Sequence, residues 1–236
     1  MSDPITTVVT VISEHPQAAA AVASIYGVAK PFLAKILGPS VDEIGEIGRD
    51  YIKGRRAKNA ERTLTDADKL LAAAGREPQA VPLDVAVPLL EAASLQEEPS
   101  MAEKWAALLA NAADPAQRVA VQPGFAEVLR QLTPTDAQVL AAAAEIETNP
   151  ESRSPYYTPI ALLLPQFAPL TEQQLYVVTS NLARLGLCFN VGRQPIEASE
   201  VLAPNPRYNT MGPGVDFFRV TPFGFAFLAA VTPPTP

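Results

Sequence analysis

Basic side chains are concentrated in one short stretch of the chain. Positive charges at this density bind phosphates, nucleic acids or acidic protein surfaces, and they also form the solvated face of many helices. Helical geometry places several of them opposite the apolar residues Ile44, Ile47 and Tyr51, which is typical of a solvated face. Both interpretations stay open, and the stretch is our candidate contact surface. We call it the basic stretch, and its members are Arg49, Lys53, Arg55, Arg56, Lys58 and Arg62.

Side chains that could carry catalysis or hold a metal are sparse. His15 and Cys188 are the only histidine and cysteine, so the usual zinc ligands cannot be assembled. Cys188 lies between Leu187 and Phe189, which predicts a buried and inert thiol. The sequence has no Gly-x-Ser-x-Gly motif, no phosphate loop and no Gly-x-Gly-x-x-Gly motif. We therefore expect no enzyme activity, no catalytic residues, no cofactor and no metal, and the single cysteine fits a reducing cytoplasm.

The basic stretch lies on a helix predicted from Ser40 to Ala74. Ser40 and Glu43 form a capping box that favours a helix start, and Gly75 favours a stop. The apolar stripe changes sides near Gly54, because a second apolar stripe of Leu64, Ala67 and Leu71 projects to nearly the opposite side from Ile44, Ile47 and Tyr51. The helix therefore either breaks there, or it stays straight and packs its two halves on different partners.

The next segment, from residue 81 to residue 132, carries the clearest helix signals. Ser100 and Glu103 form a second capping box, which predicts a helix start at Ser100. Lys104 and Asn111 are predicted to lie off the buried stripe of this helix. The stripe consists of Met101, Trp105, Leu108, Leu109 and Ala112.

Prolines divide the rest of this segment. Pro123 at a first-turn position predicts another short helix, with Phe125, Val128, Leu129 and Leu132 on one face. Upstream, Pro82 and Pro88 leave two alternatives. The chain forms either one turn followed by a helix from Pro88 to Leu95, or one kinked helix.

After residue 132 the pattern resembles a winged helix. Thr133 is predicted to cap a helix that ends at Asn149-Pro150. Thr158-Pro159 is predicted to start a short second helix, and Thr171 to cap a third that Gly186 ends. Residues 187–191 and 215–220 are predicted to be the strands of a hairpin with a long mobile loop, and Thr221-Pro222 to start a last helix.

The charge of this region disfavours DNA binding, although a winged helix can place its third helix in the major groove. Residues 133–236 carry five arginines and eight acidic side chains, a net charge of −3, and the whole chain has a net charge of −7. Phosphate neutralisation supplies most non-specific DNA affinity. We therefore predict a module for protein contact or packing, and a DNA-binding regulator remains the alternative.

The first 37 residues are rich in alanine and apolar residues. Lys30, Pro31 and Lys35 interrupt the apolar run well short of the ~20 residues that a membrane span requires. We predict a buried or partner-facing helix here. Membrane contact through residues 8–37 is kept as an alternative, which would make the protein peripheral at the inner membrane.

Five sequence segments carry a family resemblance. They are Pro88-Leu-Leu-Glu-Ala-Ala-Ser-Leu-Gln-Glu-Glu, Trp105-Ala-Ala-Leu-Leu-Ala-Asn-Ala, Leu132-Thr-Pro-Thr-Asp-Ala, Asn181-Leu-Ala-Arg-Leu-Gly-Leu and Thr221-Pro-Phe-Gly. Together they resemble the abortive-infection alpha family of bacteria, over about residues 37 to 228. The resemblance implies anti-phage defence. It implies no catalytic residues that could be carried over.

The sequence therefore predicts a mainly α protein, an N-terminal helical region followed by a winged-helix-like module with a β-hairpin. The expected divisions are 1–37 (Ala-rich helical segment), 38–132 (helical region resembling the family), 133–232 (winged-helix-like region) and 233–236 (disordered tail). The expected core is Trp105, Leu108, Leu109, Phe125, Leu129, Leu140, Leu182, Leu185, Phe223 and Phe227.

The expected function is a cytoplasmic, non-enzymatic defence protein that binds a phage or host component. A phage or host protein is the expected partner, with homo-oligomerisation as a further option. A membrane-acting effector and a DNA-binding regulator are the alternatives.

Overall fold

A computed structural model of the chain describes residues 32, 35–36, 55–116, 121–149, 158–159, 163–194 and 215–235. The chain divides into two compact units. Unit 1 comprises Met1–Gln131 and Ala229–Pro236, and unit 2 comprises Leu132–Leu228. The predicted helix start at Ser40, the question of a break at Gly54, most of residues 8–37 and the predicted loop 195–214 lie outside the described residues.

Helices dominate the described residues, as predicted. In chain order the α-helices are α1 (Arg55–Ala73), α2 (Leu83–Ser94), α3 (Pro99–Ala113), α4 (Pro123–Arg130), α5 (Pro134–Thr148), α6 (Glu172–Arg184) and α7 (Pro222–Ala230). The strands are β1 (Thr158–Pro159), β2 (Cys188–Gln194) and β3 (Val215–Val220), and a 3-10 turn covers Leu164–Gln166.

Helix α1 supplies one wall of the core of unit 1. Leu64, Ala67 and Leu71 are fully buried, as the second apolar stripe predicts. The helix ends at Gly75, whose φ of 68° is strained for a residue with a Cβ. The Arg76 N–H donates to the Leu71 carbonyl at 2.9 Å and closes the last turn. The predicted stop is therefore confirmed.

The end of the Ala-rich segment also reaches this core. Residues 32, 35 and 36 are helical, and Phe32 and Ile36 are buried. The Val81 N–H donates to the Ile36 carbonyl at 2.8 Å, and Lys35 Nζ lies 3.2 Å from a carboxylate oxygen of Glu77. At these residues, a buried helix fits better than a membrane-facing one.

Helix α2 decides between the two alternatives around Pro88. The chain is helical from Leu83 to Ser94 with Pro88 inside the helix, so it forms one helix rather than a turn followed by a helix. Leu89 and Leu90 are fully buried. Their packing compensates for the backbone hydrogen bond that Pro88 cannot make.

Two predictions about α3 were wrong. The Ser100–Glu103 capping box does not form: Glu98 is the N-cap residue and makes no side-chain cap bond, and Pro99 is the first helical residue. Proline suits that position because its missing N–H would have no helical partner there. Asn111, predicted to lie off the buried stripe, is buried at 3% exposure. Almost the whole circumference of α3 is covered, so its periodicity does not mark an outer face.

Unit 2 confirms two predicted helix starts. The Thr133 hydroxyl accepts from the Asp136 N–H at 3.1 Å, and Asp136 accepts in return from the Thr133 N–H at 2.9 Å. Thr171 and Gln174 form the same reciprocal pair at the start of α6. Both boxes satisfy backbone donors that a helix start leaves open.

The sheet corrects the predicted second helix. Thr158 and Pro159 form β1, which pairs with Phe217 and Phe218 of β3. The sheet order is β1-β3-β2, and both pairings are antiparallel. Pairing with β3 thus overrides the helix start that Thr158-Pro159 would favour locally. Pro159 lies on an edge strand, where its missing N–H is tolerated. The hairpin of β2 and β3 was predicted correctly.

Most of the predicted core is confirmed. The exceptions are Phe223, which is 40% exposed, and Leu185, which is only half-buried. Both lie next to helix ends, Leu185 directly after α6 and Phe223 in the first turn of α7, where fewer neighbours cover a side chain. The tail predicted to be disordered is described through Thr235, whose carbonyl accepts a hydrogen bond from Arg76 at 3.0 Å.

Candidate functional site

The structure places part of the basic stretch on the first turns of α1. Arg49 and Lys53 lie outside the described residues, and Arg55 is the first residue of the helix. Lys58 is exposed, whereas Arg56 and Arg62 are half-buried. Lys58 is therefore the member of the stretch that the structure shows most accessible to a partner.

Arg62 has a structural role that the sequence did not indicate. Its Nη2 donates to the Gln96 carbonyl at 3.3 Å, and one turn earlier Asn59 Nδ2 donates to the Ser94 carbonyl at 3.2 Å. These two bonds attach α1 to the turn between α2 and α3. Arg62 therefore differs from Lys58, because replacing it would disturb the packing of unit 1 as well as its surface charge.

A second accessible surface lies on α6. Tyr176 is 41% and Val177 is 63% exposed, while Leu175, Thr179 and Leu182 on the opposite side are buried. The exposed side is largely uncharged in its middle. Such a surface offers apolar contact and hydrogen bonds, and it lacks the cation density that binds phosphates.

Buried polar groups near the end of α3 form a cluster that sequence reasoning missed. Asn111 Nδ2 donates to three backbone carbonyls, those of Thr232 at 2.7 Å, Ala230 at 2.8 Å and Ala229 at 3.3 Å. An asparagine in the apolar and alanine-rich part of α3 that follows Lys104 was the available signal. Its side chain satisfies carbonyls at the end of α7, which a helix end leaves without partners.

Arg76 and Asp114 extend this cluster. Arg76 Nη1 lies 3.2 Å from Oδ2 and donates to Oδ1 of Asp114 at 3.3 Å, and Asp114 is buried at 2% exposure. Oδ1 also accepts from the Ala116 N–H at 2.8 Å. The guanidinium thus compensates a buried carboxylate and at the same time donates to Thr235.

Two titratable groups in unit 2 have shifted pKa values. Burial raises the pKa of the Glu147 carboxyl above its ordinary value, although Oε1 accepts from the Val220 N–H at 2.7 Å. Burial also raises the pKa of the Cys188 thiol to about 12, and the nearby Glu147 charge adds to the effect. The predicted burial of Cys188 is confirmed, and the raised pKa favours the protonated thiol at neutral pH.

The described ranges contain no group of three or more His, Cys, Asp or Glu side chains arranged to hold a metal ion. None of the helices in those ranges combines the length and the hydropathy that a bilayer crossing requires.

These features define a mainly helical protein with a small antiparallel sheet in its second unit. The abortive infection alpha family model matches residues 55–231, and the chain belongs to this family. No curated protein and no solved structure matches the chain.

Proposed function

We propose that this protein defends bacteria against phage by abortive infection and acts without catalysis, by binding a phage or host component in the cytoplasm. The family match over residues 55–231 is the observation that carries the defence assignment. The binding mechanism is supported by the accessible surfaces on α1 and α6. A phage or host protein is the proposed partner.

Unit 2 is, in this proposal, a winged-helix-like module. The supporting observation is the order α5, β1, α6, β2, β3 along the chain, together with the sheet order β1-β3-β2. Its α6 would correspond to the helix that reads DNA in winged-helix regulators. The exposed Tyr176 and Val177 and the net charge of −3 over residues 133–236 favour a protein contact on this helix instead.

The basic stretch is the proposed contact surface for an acidic partner. Exposed charges steer association and pair across the rim of an interface, so reversing them slows binding without affecting folding. Arg62 is unsuitable for this test because it donates to the Gln96 carbonyl. The informative variant is Lys58→Glu, alone and combined with Lys53→Glu.

Lys69→Glu is the matched control. Lys69 lies on the same helix, its side chain is 70% exposed, and its exposed pair with Asp66 contributes little to stability. Lys58→Glu, its combination with Lys53→Glu, and Lys69→Glu should all melt like the wild type. We expect Lys58→Glu, with or without Lys53→Glu, to reduce protection in plaque counts and Lys69→Glu to retain it. Equal protection by all variants would refute the contact surface, and DNA retention at physiological salt would contradict a protein partner.

A further inference from the structure

The end of α7 and the residues after it belong to unit 1, and we call Ala229–Thr235 the C-terminal strap. It returns to unit 1 after the 97 residues of unit 2. Asn111 donates to the carbonyls of Ala229, Ala230 and Thr232, and Arg76 donates to that of Thr235. All four contacts run from a side-chain donor to a backbone carbonyl, so they hold the strap by its backbone rather than by its side chains.

The receptor for the strap is built into the folded part of unit 1. Asn111 is 3% exposed on α3, and Asp114, directly after α3, is 2% exposed and fixes the guanidinium of Arg76. The Gln79 N–H donates to the Ala113 carbonyl at 2.8 Å and joins the segment after α1 to the same end of α3. The Arg76 guanidinium and the end of the helix that carries Asn111 are therefore positioned by contacts that do not involve the strap.

The strap itself is less firmly held than its receptor. Helix α7 ends at Ala230, and beyond it Val231 is buried whereas Thr232, Pro233 and Thr235 are exposed. The two prolines at 233 and 234 have no N–H to donate. Beyond Val231 the strap has no helix or strand and its side chains are largely exposed, and such a segment opens at a lower free energy than the core that carries it.

We propose that the strap opens locally, from the last turn of α7 onward, while unit 1 stays folded, and that the vacated donors of Asn111 and Arg76 bind the backbone carbonyls of a peptide segment from a protein partner. The strap occupies this site in cis and competes with the partner. Because Asn111 and Arg76 bind carbonyl groups, a peptide with the sequence of residues 229–236 is a suitable probe.

Thiol labelling of full-length protein tests the opening. Val231 and Val87 are both 4% exposed and both lie in unit 1, so Val231→Cys and Val87→Cys are a matched pair. Peptide mapping after labelling separates both from the buried Cys188. We expect Val231→Cys to be labelled at least tenfold faster than Val87→Cys. Arg76→Ala should accelerate Val231→Cys by a larger factor than Val87→Cys, because it removes a contact to the strap in addition to the ion pair with Asp114. Equal labelling rates would overturn local opening, because both sites would then react only after global unfolding of unit 1.

The synthetic peptide tests the receptor. A ligand that binds only the open state raises the open population by a factor of about 1 + [L]/Kd, so peptide at ten times its Kd should speed labelling of Val231→Cys about elevenfold. The same peptide should have no effect on Val87→Cys, or on Val231→Cys when Asn111→Ala is also present. No acceleration across a millimolar range of peptide would overturn the binding site.

Discussion

Replacing Gly224 by alanine places a Cβ against the backbone of Leu187, the residue before β2. The added atom would overlap the Leu187 carbonyl oxygen, and it would lie 2.9 Å from Val220 Cγ1 and 3.1 Å from the Leu187 carbonyl carbon. The oxygen cannot move freely, because it accepts from the Thr221 N–H at 2.9 Å and from the Thr221 hydroxyl at 3.2 Å. Relief of the overlap therefore requires the start of α7 to move away from Leu187.

The cost follows from the contacts that such a movement breaks. Besides those two bonds, the Thr221 hydroxyl contacts the Gly186 carbonyl at 2.7 Å and accepts from the Gly224 N–H at 2.8 Å. Losing two or three bonds at about 1 kcal/mol each, plus about 1–3 kcal/mol of overpacking, gives a loss on the order of 3–6 kcal/mol. This is a large fraction of the ~5–15 kcal/mol that typically stabilises a domain.

Gly124→Ala in α4 is the matched control, since its added Cβ meets nothing within 4 Å. The same substitution there should leave stability unchanged or raise it by up to about 1 kcal/mol, because alanine favours helix. Denaturant unfolding followed by circular dichroism measures both variants, and the labelling rate of Cys188 reports on unit 2. A Gly224→Ala protein as stable as Gly124→Ala would refute the packing described for α7.

Three further results are expected. Glu147→Gln should flatten the pH dependence of the stability of unit 2. Because the pKa of Glu147 is raised in the folded state, the stability of the wild type should fall as the pH rises from the ordinary glutamate pKa through the raised one. Thermal melts between pH 4 and 7 measure this difference. Asn111→Ala should lower the free energy of unfolding by about 2–3 kcal/mol, because the carbonyls that Asn111 holds lose their donor. Asn111→Asp should lower it further, because a carboxylate would then face those carbonyls, and the difference between the two variants should shrink at low pH. Denaturant titration followed by Trp105 fluorescence measures both variants. Cys188 should resist alkylation at pH 8 in the folded protein, because at a pKa of about 12 only about one thiol in ten thousand is ionised. Alkylation as fast as in denaturant would contradict this.

Helix ends were predictable where the signal is local. The boxes at Thr133 and Thr171 and the stop at Gly75 each involve residues within one or two turns of the helix end, so the pattern contains both partners of every bond. Ser100 failed because the neighbouring Pro99 provides a competing local start. The strand at Thr158 failed because its partner, Phe218, lies 60 residues away in the sequence.

The candidate functional surfaces show the same difference between local signals and contacts with distant segments. The sequence identified the basic stretch, but it could not separate the exposed Lys58 from Arg62, whose partner Gln96 is 34 residues distant. Asn111 was missed because its three acceptors lie more than 100 residues further along the chain. Periodicity indicates which side of a helix is apolar, and it contains no information about a polar contact made by a distant segment.

Phage challenge of cells that express the wild-type protein tests the proposed defence most directly. Plaque counts should fall relative to cells with an empty vector. At low phage-to-cell ratios the culture should survive, and at high ratios the infected cells should die without releasing phage. Unchanged plaque counts against a broad phage panel, or infected cells that survive and clear the phage, would contradict abortive infection by this protein.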